Sequence, residues 1–324
     1  MCWRFVCALT IGLAAALSSA QSHSQSYPDR PVRIVVPFGA GGQSDVLTRI
    51  LAQELSTSLG QTYFVENKTG AGGNIGADTV AKAKPDGHTL LLLSNGILAI
   101  NPVLYRNTPF DPVKDLRVLT VFCTASFVMM VNGKSPIRSA KDFVTKAKAA
   151  PEKLNFGSAG VGTFTHLAGE LFKKSAGIDL VHVPYKGGAE AEAALAADQV
   201  QAMFDSVLAG APFALAGTLR ALAVTDRVRS SALPDVPTME EAGFPNVEAV
   251  AWLAIAAPAN MPADIADLLT TKISEIVARP DVRQKFERAG VQPVAWTRAE
   301  TDTSIRKEVA KWSDIIRQAR IGAN

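Results

Sequence analysis

Residues 31–56 read PVRIVVPFGAGGQSDVLTRILAQELS, a stretch that joins an apolar strand to a glycine-rich loop and then to an amphipathic helix. The β-branched run Val32 to Val36 favours a buried strand, and the apolar residues after Gln43 recur at helical spacing. Glycines at 39, 41 and 42 lack the Cβ that would keep a ligand away from the backbone. Because the loop ends at a helix N-terminus, which carries roughly half a positive charge, it suits a carboxylate or a phosphate.

Strand-like and helix-like segments alternate through most of the chain, which predicts an α/β fold. YFVENK and TLLLLS are strand candidates, and residues 73–84 form a helix candidate between them. LRVLTVFC follows and leads into FVMMVN, after which LNFGSAG, LVHVPY, QAMFDS and LRALAVT alternate with helices. This βαβ alternation predicts mostly parallel sheets with helices on both faces.

The last part of the chain has a different pattern. AVAWLAIAAP is followed by helices from Pro262 through Arg320, and these must cover a sheet that is already formed. Some 300 residues exceed what one hydrophobic core usually holds. We therefore expect two α/β domains, the first built from residues 27–123 and 250–324 and the second from residues 124–249. Two crossover strands between them would form a hinge.

The first twenty residues, MCWRFVCALTIGLAAALSSA, have the charged start, apolar middle and small-residue end of a cleavable secretory signal. Cleavage near Ala20 predicts an exported protein. The chain has 33 basic and 30 acidic residues and no long basic run, so nucleic acid is not an expected partner. Cys2 and Cys7 lie within the signal, which leaves Cys123 as a buried thiol with no disulfide partner.

Candidate binding residues follow the strands, because open α/β sheets present ligand-binding loops at the carboxyl ends of their strands. Ser44 lies in the first loop, and Ser94 and Asn95 follow TLLLLS. In the second domain, GSAGVGTFTHL repeats the strand, glycine loop and helix design. Neither glycine loop contains Lys or Arg, so neutral amides and hydroxyls must hold the ligand in a cleft between the domains.

The segments PFGAGGQSD, GAGGNIGAD, KPDGHTLLL, GSAGVGTFTHLAGELF, HVPYKGG, LRALAVT, LPDVPTMEEAGFP and APANMP occur in this order. Together they resemble the Bug family of periplasmic solute-binding receptors over nearly all of the chain from Tyr27 to Ile321. The resemblance implies a type II periplasmic-binding-protein fold, a Venus flytrap whose two α/β domains close on a small organic solute. It also implies a periplasmic location and delivery of the solute to the membrane subunits of a tripartite tricarboxylate transporter.

The resemblance also assigns roles to residues of the two glycine loops. In the family, the first loop and the second-domain loop hold the ligand carboxylate; here those roles fall on Phe38, Ala40, Gly41, Gly42, Ser158, Gly160 and Thr163. An aromatic residue at position 38 suits an apolar part of the solute. We expect a monomer that binds a small carboxylate or an amino-acid-like solute and needs no cofactor or metal.

Five further residues each have two interpretations. Asp45 either competes for the loop amides or stabilises the first helical turn. His166, in the first turn of its helix, either contacts the ligand or has a structural role. The same two interpretations apply to Tyr185 at the end of LVHVPY. Asp205 is either a partner for a ligand amine or the cap of the next helix. Trp252 is either a core or hinge residue or a wall of the ligand site.

Enzymes are the rival class, and the sequence lacks their motifs. A GxGxxG fingerprint is absent, because Ile75 stands where the third glycine after Gly70 and Gly72 belongs, and no Walker lysine follows either loop. GxSxG and HExxH are also missing, and Ser158, His166 and Asp205 form a hydrolase triad only if their side chains meet. We therefore expect a non-enzymatic receptor. The alternatives are a ligand-sensing receptor for a membrane sensor kinase and a secreted hydrolase.

Overall fold

The computed structural model describes residues 27–105, 107–149 and 154–322, so the predicted signal of residues 1–20 lies outside the described residues. The chain first forms β1 (Val32–Val36), α1 (Gln43–Leu59), β2 (Tyr63–Asn67), α2 (Asn74–Ala81) and β3 (Thr89–Ser94). A π-helical turn (Gly96–Ile100) then leads into α3 (Asn101–Leu104) and the long strand β4 (Leu116–Asn132).

The middle of the chain repeats the alternation. It consists of α4 (Ala140–Ala149), β5 (Asn155–Ser158), α5 (Phe164–Ala176), β6 (Val181–Pro184), α6 (Gly188–Ala196), β7 (Ala202–Ser206), α7 (Val207–Leu215) and β8 (Leu219–Val224). The chain ends with β9 (Val250–Pro258), α8 (Ala263–Ala278), α9 (Pro280–Arg288), β10 (Gln292–Pro293) and α10 (Arg298–Gln318). The predicted alternation of strands and helices is confirmed.

Strand β4 joins two groups of strands. Its residues Leu116 to Ser126 pair with β9, which lies beside β3, β1 and β2. From Phe127 onward, β4 pairs instead with β7 and β8, and β7 continues to β5 and β6. We call the first group, with its helices α1–α3 and α8–α10, the first lobe, and the second group, with α4–α7, the second lobe.

One expectation about these strands is met and one was wrong. LRVLTVFC leads directly into FVMMVN, because both are parts of β4, which passes from one lobe to the other without a break. The sheets, however, are not mostly parallel, because β4 pairs antiparallel with β7, β8, β9 and β10, and β9 pairs antiparallel with β3. Long strands that cross between lobes run against the parallel strands β1–β3 and β5–β7 that each βα unit generates.

The core explains why the opening stretch folds as it does. Val32, Ile34 and Val36 share one face of β1 and pack in a buried cluster with the apolar stripe of α1, Leu47, Leu51 and Leu55. Val35 points to the other face and joins a second cluster, which continues into the second lobe. The strand is therefore buried on both faces, and the loop that follows it is held at a fixed edge of the sheet.

Candidate ligand site

The loop after β1 forms an open cradle at the start of α1. Its residues 39–42 are exposed, and Gly41 has a φ of +79°, in the left-handed region that favours glycine. Gly42 occupies the N-cap position of α1, and no side chain caps the helix there. Among the described residues, no acceptor bonds the N–H groups of Ala40, Gly42 or Gln43. Unbonded donors at a helix N-terminus are the geometry that the sequence predicts for this loop.

Asp45 fixes the shape of this loop. Its carboxylate is buried and accepts hydrogen bonds from Gly41 N at 2.9 Å, Arg49 Nε at 2.9 Å and Asn67 Nδ2 at 2.9 Å. Burial alone would raise the pKa of Asp45, but the bonds from Arg49, Gly41 and Asn67 lower it to about 2. Both interpretations of this residue therefore hold: it takes one loop amide and stabilises the turn that presents the others.

A cavity of about 250 Å³ opens beside this cradle, between the two lobes. Phe38 and Ser44 line it from the first loop, Ser94 and Asn95 from the end of β3, and Gly162 and Phe164 from the second lobe. Its floor consists of residues of β4 and β9, which we call the crossing strands because the chain passes between the lobes at each of them; they include Cys123, Ala125, Ala251 and Leu253. No charged side chain is among its described lining residues. An anion bound there would rely on neutral donors.

Asn95 lines the cavity, but protein groups already bond its amide. Asn95 Nδ2 donates to Val250 O at 3.0 Å and to Glu308 Oε2 at 3.1 Å, and Glu308 also accepts the indole N–H of Trp312 at 2.7 Å. This network connects β3 to β9 and α10. Neighbouring Ser94 receives only a long bond, 3.4 Å from Ile97 N to its Oγ. Its hydroxyl can therefore still donate to a ligand.

The second-lobe glycine loop, residues 158–163, is held together by its own hydrogen bonds. Ser158 is fully buried, and its Oγ lies 2.7 Å from His182 Nε2 and 3.2 Å from Gly160 N. Thr163 is the N-cap of α5 and donates to Gly160 O at 2.7 Å. Gly162 N donates to His166 Nδ1 at 3.0 Å. Of these residues, only Gly162 is among the described cavity lining.

Tyr185 and Asp205 do not line the described cavity. The ring of Tyr185 packs beside Gly157, and its backbone N–H donates to Ser158 O at 2.9 Å. Asp205 is buried, and its Oδ1 accepts from Ser206 N at 2.7 Å. The cap of α7 is Ser206, whose side chain accepts from Ala209 N. Asp205 therefore does not cap that helix.

Glu192 is a buried neighbour of Asp205 that sequence reasoning missed, because on α6 it reads as a solvent-facing residue. Asp205 Oδ2 and Glu192 Oε1 are both buried without a hydrogen-bond donor among the described residues. Burial, together with the charge of Asp205, raises the pKa of Glu192 to about 7. Burial also raises the pKa of Asp205. The pair is therefore most stable with one proton bound.

We expect E192Q to change the pH dependence of stability. The pKa of Glu192 is higher in the folded than in the unfolded chain, so its protonated form stabilises the fold at low pH and this contribution is lost as the pH rises through about 7. From pH 5 to pH 8, the free energy of unfolding of the wild type should fall by about 1–2 kcal/mol relative to E192Q. Urea unfolding measures this difference, and E240Q, at an exposed position of the same lobe, is the control. If the free energy of unfolding changed with pH in the same way in wild type and E192Q, the raised pKa of Glu192 would be contradicted.

Phe164 and Trp252 complete the walls. Phe164 contacts Phe127 with ring centroids 4.7 Å apart and Trp312 of α10 at 5.2 Å, so it joins both lobes. Trp252 is only 3% exposed, yet it lines the cavity, so it is both a packed core residue and part of the cavity wall. Cys123 is buried as predicted, and burial raises the pKa of its thiol.

A larger groove, about 1500 Å³, lies on the other face of the crossing strands. Ser126 and Val250 are register partners that line this groove, whereas the partners Ala125 and Ala251 line the cavity, because side chains alternate between the faces of a strand. Ion-paired side chains such as Arg227 and Glu248 line the groove. Among the candidate residues, Trp252 is part of the described lining of both the groove and the cavity, and the groove lining includes none of the predicted residues of the two glycine loops.

Tyr185 and Asp205 lie outside the described cavity lining, and the other predicted site residues fall into three sets. Phe38, Ser44, Ser94 and Asn95 line the cavity, and Ala40, Gly41 and Gly42 form the cradle beside it. Ser158, Gly160, Thr163 and His166 form the loop and helix start that carry Gly162. In the described ranges, no cluster of three metal-ligating side chains occurs. Within the same ranges, no helix combines the length and the apolar character of a membrane span.

Two lobes, crossing strands and a cavity between them define a solute-binding receptor of the periplasmic-binding-protein type. The chain belongs to the tripartite tricarboxylate transporter receptor family, TctC, which matches residues 47–321. This family consists of transport receptors and not of enzymes.

Solved structures of similar proteins have the same fold as this chain. The periplasmic binding protein BugD is 31% identical, with a TM-score of 0.71 over 92% of this chain and 100% of that one. Rpa4515 of R. palustris with adipate is 33% identical, with a TM-score of 0.75 over 91% and 99%. MatC of Rhodopseudomonas palustris with bound malate is 28% identical, with a TM-score of 0.71 over 90% and 100%. The predicted fold class and the resemblance to the Bug family are confirmed.

Proposed function

We propose that this receptor binds a small organic acid with one or two carboxylates in the cavity between its lobes. The observation that carries the proposal is the uncapped N-terminus of α1, whose unbonded N–H groups adjoin a cavity without described charged lining residues. The structures of relatives with adipate and malate support the same class of solute. Phe38 would cover an apolar part of the solute, and Ser44 and Ser94 would donate to its carboxylates.

Such a site can bind a carboxylate with micromolar affinity without a cationic side chain. A hydrogen bond to a charged group contributes roughly 1.5 to 3 kcal/mol. A dissociation constant of 1 μM corresponds to about 8 kcal/mol. Four such bonds from the first loop and the two serines would therefore suffice, before the apolar contacts of Phe38 and Phe164 are added.

Closure of the lobes around the solute would tell the membrane subunits that the receptor has a solute bound. We take residues 27–123 with 250–324 and residues 124–249 as the two moving bodies. Leu104 of the first lobe lies against Gly162 of the second, and Lys174 of α5 pairs with Asp314 of α10. A solute that contacts both lobes favours the closed arrangement by its higher affinity for that state. The membrane subunits of a tripartite transporter would receive the solute from the closed form.

The first experiment is thermal unfolding of the mature protein after removal of copurified ligand. The panel contains malate, succinate, adipate, benzoate, citrate, amino acids and the corresponding amides. A solute at about 100 times its dissociation constant adds about 2.7 kcal/mol, which raises the Tm by roughly 5–10 °C. A shift confined to monocarboxylates and dicarboxylates supports the proposal, and a shift with citrate or amides alone would contradict it.

We also propose that the chain is exported to the periplasm and cleaved near Ala20. The pattern of residues 1–20 supports this, as does membership of a family of periplasmic receptors. Expression of the full chain in a Gram-negative host should give periplasmic protein whose N-terminus begins near Gln21, as intact mass would show. Retention of the first twenty residues in the cytoplasmic fraction would contradict the assignment.

A further inference from the structure

Two histidines lie stacked directly behind the second-lobe loop. The rings of His166 on α5 and His182 on β6 are 3.6 Å apart between centroids and only 7° from parallel. Phe156 of β5 packs against both, with its ring centroid 4.9 Å from that of His182 and 6.1 Å from that of His166. The stack is therefore fixed by three elements of the second lobe.

Each ring also bonds the loop. His166 Nδ1 accepts the N–H of Gly162 at 3.0 Å, and Gly162 lines the cavity. His182 Nε2 lies 2.7 Å from Ser158 Oγ, which in turn accepts the N–H of Gly160 at 3.2 Å. A ring nitrogen accepts a hydrogen bond only when it carries no proton, so His166 must hold its proton on Nε2. The loop therefore depends on a neutral imidazole at position 166.

The surroundings keep both rings neutral. Burial, with the positive charge of Lys173, lowers the pKa of His182 to about 4, and burial with the neighbouring His182 and Lys173 lowers that of His166 to about 3. Glu170 lies beside the stack, with its Oε1 3.8 Å from His166 Nε2 and 3.1 Å from Lys173 Nζ. Asp179 also pairs with Lys173, at 3.7 Å. At neutral pH both imidazoles can therefore serve as acceptors.

We propose that His166 and His182 are positioning residues of the solute site, which as a neutral stacked pair fix Gly162 and Ser158 and so set the shape of the second-lobe wall. This inference rests on the proposed function, because the wall matters only if solute binds against it. His166 then acts through the Gly162 N–H, and His182 acts through the Ser158 hydroxyl. Neither histidine needs to touch the solute.

Two substitutions at position 166 separate this role from simple packing. H166F keeps an aromatic ring against His182 and Phe156 but removes the acceptor for Gly162 N–H. H166N gives up the ring but keeps an acceptor oxygen close to the position of Nδ1. A packing role predicts that H166F binds solute better than H166N, whereas a positioning role predicts the reverse order.

The experiment measures solute affinity by calorimetry and amide exchange of Gly162 by NMR, in wild type and both variants, with adipate and malate as probes. We expect H166F to weaken binding about tenfold or more and to speed exchange of the Gly162 amide, and H166N to restore both toward wild type. Tighter binding by H166F than by H166N, or unchanged exchange at Gly162 in H166F, would overturn the inference.

The amide-exchange measurement does not need a solute. If the wild type binds neither probe, the proposed function is in doubt for these acids, and exchange at Gly162 still decides whether His166 holds the loop. If neither variant folds, the Gly162 amide of the wild type remains measurable. Its protection must then exceed that of Val161, which has no described hydrogen-bond acceptor, and equal exchange rates at the two amides would overturn the inference.

Discussion

Replacement of Gly41 with valine is expected to abolish the solute-induced rise in Tm while the protein stays folded. The φ of Gly41 is +79°, a conformation that costs an L-residue roughly 1–2 kcal/mol and a β-branched one more. The loop must therefore rearrange, which breaks the bond from Gly41 N to Asp45 and turns the neighbouring amides away from the cavity. Thermal unfolding with and without a solute that stabilises the wild type measures the loss.

Gly60 supplies the matched control for this substitution. It has a φ of +70° at the C-cap of α1, and a Cβ there would meet nothing within 4 Å, as at Gly41. G60V should therefore lower the Tm of the free protein by a similar few degrees but keep the full solute-induced shift. An unchanged shift in G41V would contradict the assignment of the first loop to the ligand.

The pair S94D and S94N tests the charge of the ligand. Both introduced side chains have nearly the same shape, and both would lie at the cavity wall at the end of β3. A carboxylate about 5 Å from the ligand carboxylate raises the energy of the complex by about 2 kcal/mol in a partly solvated site. We expect S94D to bind the solute about 30-fold more weakly than S94N at pH 7, as titration calorimetry would measure.

The pH dependence of this pair adds a control. Protonation of the introduced carboxylate in S94D at low pH should bring its affinity toward that of S94N, provided that the ligand itself stays ionised. Equal affinities of the two variants at pH 7 would mean that the bound group near Ser94 carries no negative charge. In that case the first-lobe wall would not hold a carboxylate.

Sequence patterns predicted the elements whose conformation depends on the preferences of neighbouring residues in the chain. The β-branched run of β1 favours a strand, the apolar stripe of α1 favours a helix, and the glycines between them permit the tight loop, so the cradle was predictable from residues 31–56. The return of the chain near Val250 was predictable from the change in pattern at AVAWLAIAAP.

Long-range pairing was not predictable in the same way. The change of pattern predicted that the chain leaves the first lobe near Cys123, but nothing local in LRVLTVFCTASFVMMVN identifies β9 as the partner of its first residues or β7 and β8 as the partners of its last. Asn95 looked free for a ligand until the fold brought Glu308 to its amide, 213 residues away in sequence. His182 in LVHVPY looked like one polar position of a strand, and only the tertiary structure places its ring on His166.

The most direct test of the central claim is calorimetric titration of the ligand-free mature protein with a carboxylic acid and with the uncharged amide of the same skeleton, beginning with adipate and adipamide. The cradle of unbonded N–H groups and the uncharged described lining predict that an acid binds with a dissociation constant near the micromolar range and that its amide binds at least about 30-fold more weakly. Equal binding of an acid and its amide would contradict the claim that these donors recognise a carboxylate.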